Sequence, residues 1–190
     1  MSANPSRTPP RGATIQVMAI NAGRYTADVG DPDDEIVVFL IGMRVNKPWL
    51  VRQWWPVFTA MPKMLRYLDQ HPEHGLLGWR LSIAPALALE PSIVQYWRSF
   101  ADLERFARNT DDPHLEAWRA FNRTVGKSGD VGIWHETYVV KRAAIDSIYA
   151  NMPAYGLAKA TAAVPVRKGK QSAAARAGQR DTDDPALPTY

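Results

Sequence analysis

Two interleaved apolar series run through the stretch DPDDEIVVFLIGMRVNKP, after a turn of aspartate and proline residues. Residues 35–45 have strand character, and their alternate positions read Val37, Phe39, Ile41, Met43, Val45 and Ile36, Val38, Leu40, Gly42, Arg44. Neighbouring side chains on a strand point to opposite faces of its sheet. Because both series are largely apolar, the pattern predicts a strand that is covered on both faces.

A helical period follows this strand. Within WLVRQWWPVFTAMPKMLRYLDQH, large apolar residues recur on one side of the predicted helix at Leu50, Trp54, Val57, Phe58, Met61, Leu65 and Leu68. Pro48 suits the first turn of that helix, whereas Pro56 and Pro62 are expected to kink or divide it.

The rest of the chain adds further strands and two short helices. Strand patterns cover 76–84, 91–99 and 131–140, with a short strand or extended arm in 145–153 and some extended structure in 13–30. The strands in 76–84 and 91–99 are joined by a loop around Pro85 to Glu90. Ser99 is the candidate N-cap of a helix in SFADLERFARN. Asp112-Pro113 begins a second helix, which is expected to end at Gly126.

The order β-α-β-β-α-β predicts an α+β fold of the ferredoxin-like, split-βαβ type, with an antiparallel sheet and helices on one face. The helices cover only one face, and the strands are apolar on both. The other face is therefore expected to pack on another sheet, which for a single domain most economically belongs to a second copy. We predict a homodimer.

Composition places the predicted domain at residues 13–164. Residues 1–12 and 165–190 are rich in Pro, Ser, Ala, Gly and charge, so both segments are predicted to be disordered. They also carry the formal net charge of +4, since residues 13–164 contain 16 basic and 16 acidic side chains. A neutral fold argues against a nucleic-acid-binding domain.

Several classes of protein lack support in the sequence. Cysteine is absent, which excludes disulfides and thiolate chemistry and fits a reducing cytoplasm, so a cytoplasmic location is expected. No apolar run approaches the ~18 residues of a membrane span, and the N-terminus lacks the apolar region of a secretory signal. Glycine-rich phosphate loops, GxSxG elbows and GxGxxG turns are missing, so NAD, FAD and ATP have no predicted site.

The segment GDVGIWHETYVV, residues 129–140, places His135 and Glu136 side by side in a predicted strand. They point to opposite faces, and the sequence does not say which of them meets the helices. A neutral imidazole can act as a base, bind a substrate oxygen or ligate iron, or His135 is a structural histidine with satisfied hydrogen bonds. Glu136 is a candidate catalytic carboxylate, or a partner for Arg44 or Arg98 across a dimer.

The other histidines offer weaker signals. HETYV lacks the second histidine of the HExxH zinc motif, because residue 139 is Val, and no metal site is predicted. His71 and His74 are the close pair and are expected to be solvated in a proline-containing loop. A non-haem iron site would need His135, His114 and Glu116 to converge, which the sequence does not show.

Four segments resemble a bacterial and fungal family associated with the monooxygenase of the fumagillin pathway: VVFLIGMRVNKPW, VQYWRSFADLERFAR, AWRAFNRTVGKSGDVGIWHETYVV and IYANMPAYGLAKA. The resemblance covers roughly residues 35–160. It implies the dimeric α+β barrel superfamily of antibiotic-biosynthesis monooxygenases, with a cavity between the helices and the sheet of each subunit. Distant branches of that superfamily bind haem, and there His114 occupies the place of a haem-ligating histidine.

The resemblance directs attention to residues that suit such a cavity. Aromatic walls suit a flat apolar ligand, and the candidates are Trp97, Trp118, Trp134, Tyr96 and Phe121. Arg44, Arg80 and Asn122 are candidates to orient a substrate oxygen or a propionate, or they simply form ion pairs.

Three functions remain open from the sequence. The first is a cofactor-independent oxygenase in which His135 removes a proton from a hydrophobic small molecule, Trp97 and Trp134 shape the pocket, and Arg44 or Asn122 stabilises the oxyanion. The second is a haem enzyme on the same fold, with His135 or His114 as axial ligand. The third is a non-catalytic dimeric module that binds a small apolar ligand.

Overall fold

The computed structural model describes residues 19–83, 90–110, 113–124 and 127–179. The strands are β1 (Asn21–Ala27), β2 (Glu35–Val45), β3 (Leu76–Ile83), β4 (Pro91–Trp97), β5 (Val131–Lys141), β6 (Tyr149–Met152) and β7 (Ala163–Pro165). The helices are α1 (Val51–Gln70), α2 (Phe100–Arg108), α3 (Pro113–Thr124), α4 (Leu157–Ala160) and α5 (Ala173–Arg176). None of the helices within these ranges is long and apolar enough to cross a bilayer.

The larger sheet has four antiparallel strands in the order β3-β4-β2-β5. Helix α1 connects β2 to β3, and helices α2 and α3 connect β4 to β5. Each connection passes over one intervening strand, which is the split-βαβ topology. The predicted ferredoxin-like α+β class is confirmed.

Register assigns every side chain of this sheet to one of two faces. Strand β2 pairs with β5 from Glu35 opposite Lys141 to Val45 opposite Val131. We call the face that carries Val37, Phe39, Ile41, Met43 and Val45 the inner face, because the helices pack on it. The outer face carries Ile36, Val38, Leu40, Gly42 and Arg44.

The inner face and the helices enclose the main core. One cluster joins Val37 and Trp97 of the sheet to Leu68 of α1 and to Leu103 and Phe106 of α2. A second cluster of Met43, Val45 and Val131 forms at the other end of the sheet, against α1 and α3. Trp97 and Val37 are fully buried and fix the position of the helices over β2 and β4.

The outer face is covered at one end by the chain itself. Strands β6, β1 and β7 form a second antiparallel sheet in that order. Tyr25 and Ala27 of β1, together with Leu157 and Ala158 of α4, pack on Ile36 of the outer face. The sequence assigned this cover to a second copy, so at this end that assignment is wrong. Trp134 and Tyr138, on β5, stay 40% and 50% exposed.

Local signals predicted most boundaries of the secondary structure. Strand β2 has the predicted bounds, and Ser99 caps α2 by accepting a hydrogen bond from the backbone N–H of Asp102 at 3.1 Å. Helix α1 is a single helix that contains Pro56 and Pro62, so of the two predicted effects, a kink or a division, the prolines do not divide it. Its first residue is Val51, and Pro48 lies in the preceding turn. The predicted extended segment 145–153 contains only the short strand β6.

The fold extends beyond residue 164. Strand β7 pairs with β1, and α5 buries Ala175 and joins Arg176 to Asp146 through an ion pair of 2.6 Å. Predicted disorder from residue 165 therefore does not hold for 165–179. The predicted tail 1–12, the loop 84–89, Gly126 and residues 180–190 lie outside the described residues.

Candidate functional site

A cavity of about 670 Å³ lies between the inner face and helices α1, α2 and α3. Its lining is mostly apolar and includes Phe39, Ile41, Met43, Val57, Met61, Ile93, Leu103, Phe106, Trp118 and Phe121. Cavities of this size and character hold drug-sized ligands in other proteins.

His135 lies on the inner face and lines this cavity. It stands opposite Ile41 in the register of β2 and β5, and its ring centroid is 5.5 Å from that of Phe39. None of the described residues forms a hydrogen bond with the imidazole, which is exposed because β5 is an edge strand. An imidazole in an apolar wall with both nitrogens free can accept or donate a proton to a ligand.

Glu136 lies on the outer face, away from the cavity. Its Oε2 accepts a hydrogen bond of 2.7 Å from the Tyr138 hydroxyl, and this bond raises the pKa of Tyr138. Because Glu136 does not meet the helices, it does not share a site with His135 within one chain. Of the pair, His135 therefore faces the helices and Glu136 faces away from them.

Gln53 also lines the cavity, and its side chain was not among the predicted site residues. Its Oε1 atom is buried, and no described residue donates a hydrogen bond to it. The sequence did contain a signal: Gln53 lies four residues before Val57 and so interrupts an apolar helix face with an amide. The remaining polar lining consists of Gln95, Glu104 and Thr137.

Two of these polar groups have local partners. Gln95 is buried and its Oε1 accepts a hydrogen bond of 2.9 Å from the Trp97 indole. Glu104 forms an ion pair of 2.9 Å with Arg108, one turn further along α2. Thr137, like His135, projects from the inner face of β5.

The predicted aromatic walls divide between the two faces. Trp97 and Trp118 line the cavity, Trp97 as a buried floor residue and Trp118 from α3. Trp134 does not, because it lies on the outer face over Gly42, where an added Cβ would be 2.6 Å from the indole. Tyr96 packs in the cluster beneath the second sheet, whereas Phe121 lines the cavity.

The predicted oxyanion partners do not reach the cavity. Arg44 lies on the outer face and pairs with Glu90 at 2.8 Å. Arg80 also points outward, donates a hydrogen bond of 3.3 Å to the Tyr155 hydroxyl, and lines a separate cavity of about 460 Å³ beside α4. Asn122 is exposed on α3 and is absent from the described lining. Arg98, the other proposed partner of Glu136, binds Asp102 at 2.7 Å.

Haem requires an axial ligand and partners for two propionates. His135 supplies an imidazole in the cavity wall. The described lining, however, holds neither Lys nor Arg, and its charged member is the anionic Glu104. The described residues therefore do not fit haem at its propionates. The side chain of His114, on α3, lies outside the described residues, as does that of Glu116.

His71, Glu73 and His74 form a cluster at the far end of α1. Their donor atoms lie within 4.8 Å of one another, on and beside the 3₁₀ turn Pro72–His74. His71 Nδ1 and Glu73 Oε1 are 2.9 Å apart, and backbone and His71 hydrogen bonds lower the pKa of Glu73. Among the described residues this is the group with the spacing of metal ligands, but none of its members lines the cavity.

A split-βαβ sheet with an apolar cavity under its helices defines an α+β domain of the ferredoxin-like class. The chain belongs to the Monooxygenase af470-like family, whose model matches residues 36–157. It is 29% identical over 145 residues to Monooxygenase af470 of Aspergillus fumigatus, covering 68% of this chain. The match spans 50% of that relative, so the chain accounts for about half of its length.

Solved structures with a similar fold include two aldoxime dehydratases. One is 18% identical with a TM-score of 0.55, covering 77% of this chain and 45% of the other. The second, in complex with butyraldoxime, is 18% identical with a TM-score of 0.50, covering 67% and 40%. At this identity the likeness establishes the fold.

Proposed function

We propose that this chain is a small monooxygenase-like enzyme that oxidises a hydrophobic small molecule in the cavity between the inner face and the helices. The observation that carries the proposal is the imidazole of His135, which has no hydrogen-bond partner among the described residues and lies in the wall of an apolar cavity of about 670 Å³. Membership of the Monooxygenase af470-like family supports the same class of reaction.

The chemistry proceeds without a resident cofactor. His135 removes a proton from an acidic C–H of the substrate, which leaves a delocalised carbanion. The carbanion transfers one electron to O₂, and the resulting radical pair combines as a peroxide. The peroxide then loses water, so that a CH₂ group and O₂ become a carbonyl and H₂O. The proton held by His135 returns in the water that leaves.

The walls supply what this sequence of steps needs. Phe39, Ile41 and Met43 give the reacting carbon an apolar surface beside His135. The Thr137 hydroxyl, two residues from His135 on the same face, can donate a hydrogen bond to the developing oxyanion. Arg44 and Asn122 have no part in this scheme.

The test uses anthrone as a probe, because its central CH₂ is acidic and oxidises to a carbonyl. Oxygen uptake and anthraquinone absorbance are followed for the wild type, His135→Ala and Glu136→Ala. A general base contributes about 10²–10⁴-fold to rate, so His135→Ala should lose turnover by that factor. Glu136→Ala should change it by less than about threefold, since the carboxylate is on the outer face.

Equal turnover in the wild type and in His135→Ala would contradict the proposal. Anthrone that binds to both proteins with equal affinity and is turned over by neither would favour a non-catalytic binding module. A Soret band that appears after haem addition and disappears in His135→Ala would instead favour the haem enzyme. It would do so even though the described cavity lining offers no Lys or Arg to the haem propionates.

We also propose that the exposed part of the outer face pairs with a second copy of the chain. Trp134 and Tyr138 are large exposed residues on an edge strand, which is the kind of surface that dimers bury. Light scattering after gel filtration should give a dimer for the wild type and a monomer for Tyr138→Arg. Trp49→Arg is the matched control, because Trp49 is 73% exposed just before α1. A monomeric wild type would overturn the pairing.

A further inference from the structure

Two imidazoles and a carboxylate meet where α1 ends. His71, Glu73 and His74 lie on and beside the 3₁₀ turn between α1 and β3, and one donor atom from each lies within 4.8 Å of the others. His71 Nδ1 and Glu73 Oε1 are 2.9 Å apart. The sequence predicted a solvated histidine pair and did not include Glu73. The turn therefore brings together donors of the kind that hold a divalent transition-metal ion.

Backbone hydrogen bonds hold this turn in shape. The His74 N–H donates to the His71 carbonyl at 3.1 Å, and the Gly75 N–H donates to the Pro72 carbonyl at 3.0 Å. Gly75 has a φ of +87°, and a Cβ there would lie 2.5 Å from Asp102 Oδ2, so the position requires glycine. The three donors therefore lie on a turn that is formed before any ion binds.

Aromatic neighbours hold both imidazoles in place. The centroid of the Tyr67 ring lies 4.3 Å from that of His71 and 5.6 Å from that of His74. His74 Nε2 is 3.4 Å from the Tyr67 hydroxyl, and the His74 ring contacts Phe106 of α2 at a centroid distance of 5.5 Å. Outer contacts of this kind orient the imidazoles that bind metals.

The charges around the turn favour a cation. The C-terminal end of α1, a helix of 20 residues, carries partial negative charge, and its last turn holds no basic residue. Hydrogen bonds from the backbone and from His71 lower the pKa of Glu73, so this carboxylate is anionic at neutral pH. The Arg98 guanidinium, which donates to the Glu73 carbonyl, is paired with Asp102 at 2.7 Å.

We propose that His71, Glu73 and His74 bind one divalent transition-metal ion of the zinc class, with water completing its coordination. The side chains of His71 and Glu73 are 40% and 66% exposed, so an ion reaches their donor atoms from solvent. Tetrahedral zinc, with bonds of about 2.0–2.2 Å, holds its ligand atoms about 3.3–3.6 Å apart. The separations in the turn bracket that distance, and rotation of the exposed side chains closes the set.

The bound ion joins the end of α1 to the start of β3. Through the contact of His74 with Phe106 it also supports α2. None of the three ligands lines the cavity, so the ion holds these elements together and takes no part in oxidation. The inference is therefore independent of the proposed function.

The experiment titrates zinc into the full chain, freed of any purification tag, by isothermal calorimetry. The wild type should bind one ion with a micromolar Kd, because three protein ligands bind less tightly than the four of a structural site. His71→Ala and Glu73→Gln should each weaken binding by about tenfold or more. The matched controls are His135→Ala, which removes an imidazole elsewhere, and Glu104→Gln, which removes a carboxylate elsewhere. Both should keep the affinity of the wild type.

Thermal unfolding gives a second readout that detects a folding defect. Without zinc, His71→Ala and Glu73→Gln should unfold close to the wild-type midpoint, because both side chains are partly or largely exposed. Zinc at about 100 times its Kd should raise the wild-type midpoint by about 5 °C or more and leave the midpoint of His71→Ala nearly unchanged.

Three results would overturn the metal site. The first is a wild type that binds zinc more weakly than about 1 mM. The second is wild-type affinity in both His71→Ala and Glu73→Gln. The third is loss of binding in His135→Ala, which would place the ion in the cavity instead. None of these measurements depends on turnover, so failure of the oxygenase proposal leaves this test intact.

Discussion

The two faces of the four-stranded sheet are both apolar in sequence, yet they meet different surroundings. The inner face packs on helices at both ends and leaves a cavity of about 670 Å³ between them. The outer face is filled at one end by the second sheet and left exposed at β5. An apolar series in the sequence therefore predicts that a face is covered. It does not predict a cavity, because the cavity depends on how incompletely the helices pack on that face.

Adjacent residues of β5 show the consequence. His135 faces the cavity and has no described hydrogen-bond partner, whereas Glu136 faces outward and is satisfied by Tyr138. The imidazole in the apolar cavity is available to react with a ligand. The exposed pair of Glu136 and Tyr138 is expected to contribute little to stability or to the site.

The largest difference is expected between the tryptophans of the two faces. Trp97 is fully buried and packs on Phe106 at a centroid distance of 5.7 Å. Trp97→Ala should lower the free energy of unfolding by about 3–5 kcal/mol. Trp134→Ala should lower it by about 1 kcal/mol, since that ring is partly exposed. Urea denaturation measures both, and equal losses would contradict the assignment of the core to the inner face.

A somewhat smaller effect is expected where the second sheet reaches the outer face. A Cβ on Gly78 would lie 2.8 Å from the Cβ and 3.0 Å from the Cα of Ala160. Gly78→Ala should therefore cost about 1–3 kcal/mol, because the backbone of α4 must move. Gly132→Ala is the control, since its nearest neighbour would be 3.8 Å away on the exposed part of that face. If thermal unfolding ranks the two variants in the opposite order, the packing of α4 on β3 is wrong.

Asp102 tests how α2 is held over the inner face. Its buried carboxylate contacts Arg98 and Arg105 at 2.7 Å each, and the hydrogen bond from Arg98 lowers its pKa below the ordinary 3.8. A carboxyl with a lowered pKa stabilises the fold above its ordinary pKa, and this contribution is lost as the pH falls below it. Asp102→Asn should cost about 1–2 kcal/mol at pH 7.

The same variant should show a weaker dependence of stability on pH below about pH 4. Denaturation in urea between pH 7 and pH 2.5 measures it. Glu104→Gln on the same helix is the control, because that carboxylate is in a more exposed pair with Arg108. If stability falls equally steeply with acid in Asp102→Asn and in the wild type, protonation of Asp102 is not a source of the pH dependence.

The smallest effect is expected for Tyr138→Phe on the outer face. The variant loses the exposed hydrogen bond to Glu136 and keeps the aromatic ring, so the free energy of unfolding should stay nearly unchanged. Anthrone turnover should be unchanged. A large loss of turnover in this variant would connect the outer face to the cavity and weaken the contrast between the faces.

Local patterns in the sequence were sufficient for the strands and the helix cap. Residues 35–45 are apolar in both alternate series over the length of a strand, and Ser99 directly precedes a helical pattern, so both features followed from local sequence. The second sheet did not, because β1, β6 and β7 are short and pair across more than a hundred residues. Its absence from the prediction led us to assign the whole outer face to a second copy.

The candidate site was predicted in part for a similar reason. The strand position of His135 was readable, but its face was not, because β2 is apolar in both series. Trp134, Arg44 and Arg80 were therefore grouped with it although they lie on the outer face. Gln53 was overlooked because a single amide in a helix has many solvated counterparts, and only its burial distinguishes it.

Pro56 and Pro62 both border the cavity from within α1. Neither has a backbone N–H, so the carbonyls of Arg52 and Phe58 lack the donors that an uninterrupted helix would give them. Helix α1 therefore lacks two backbone hydrogen bonds in the part that borders the cavity. We expect a large ligand to enter the cavity by displacing this part of α1, while the four-stranded sheet keeps its conformation.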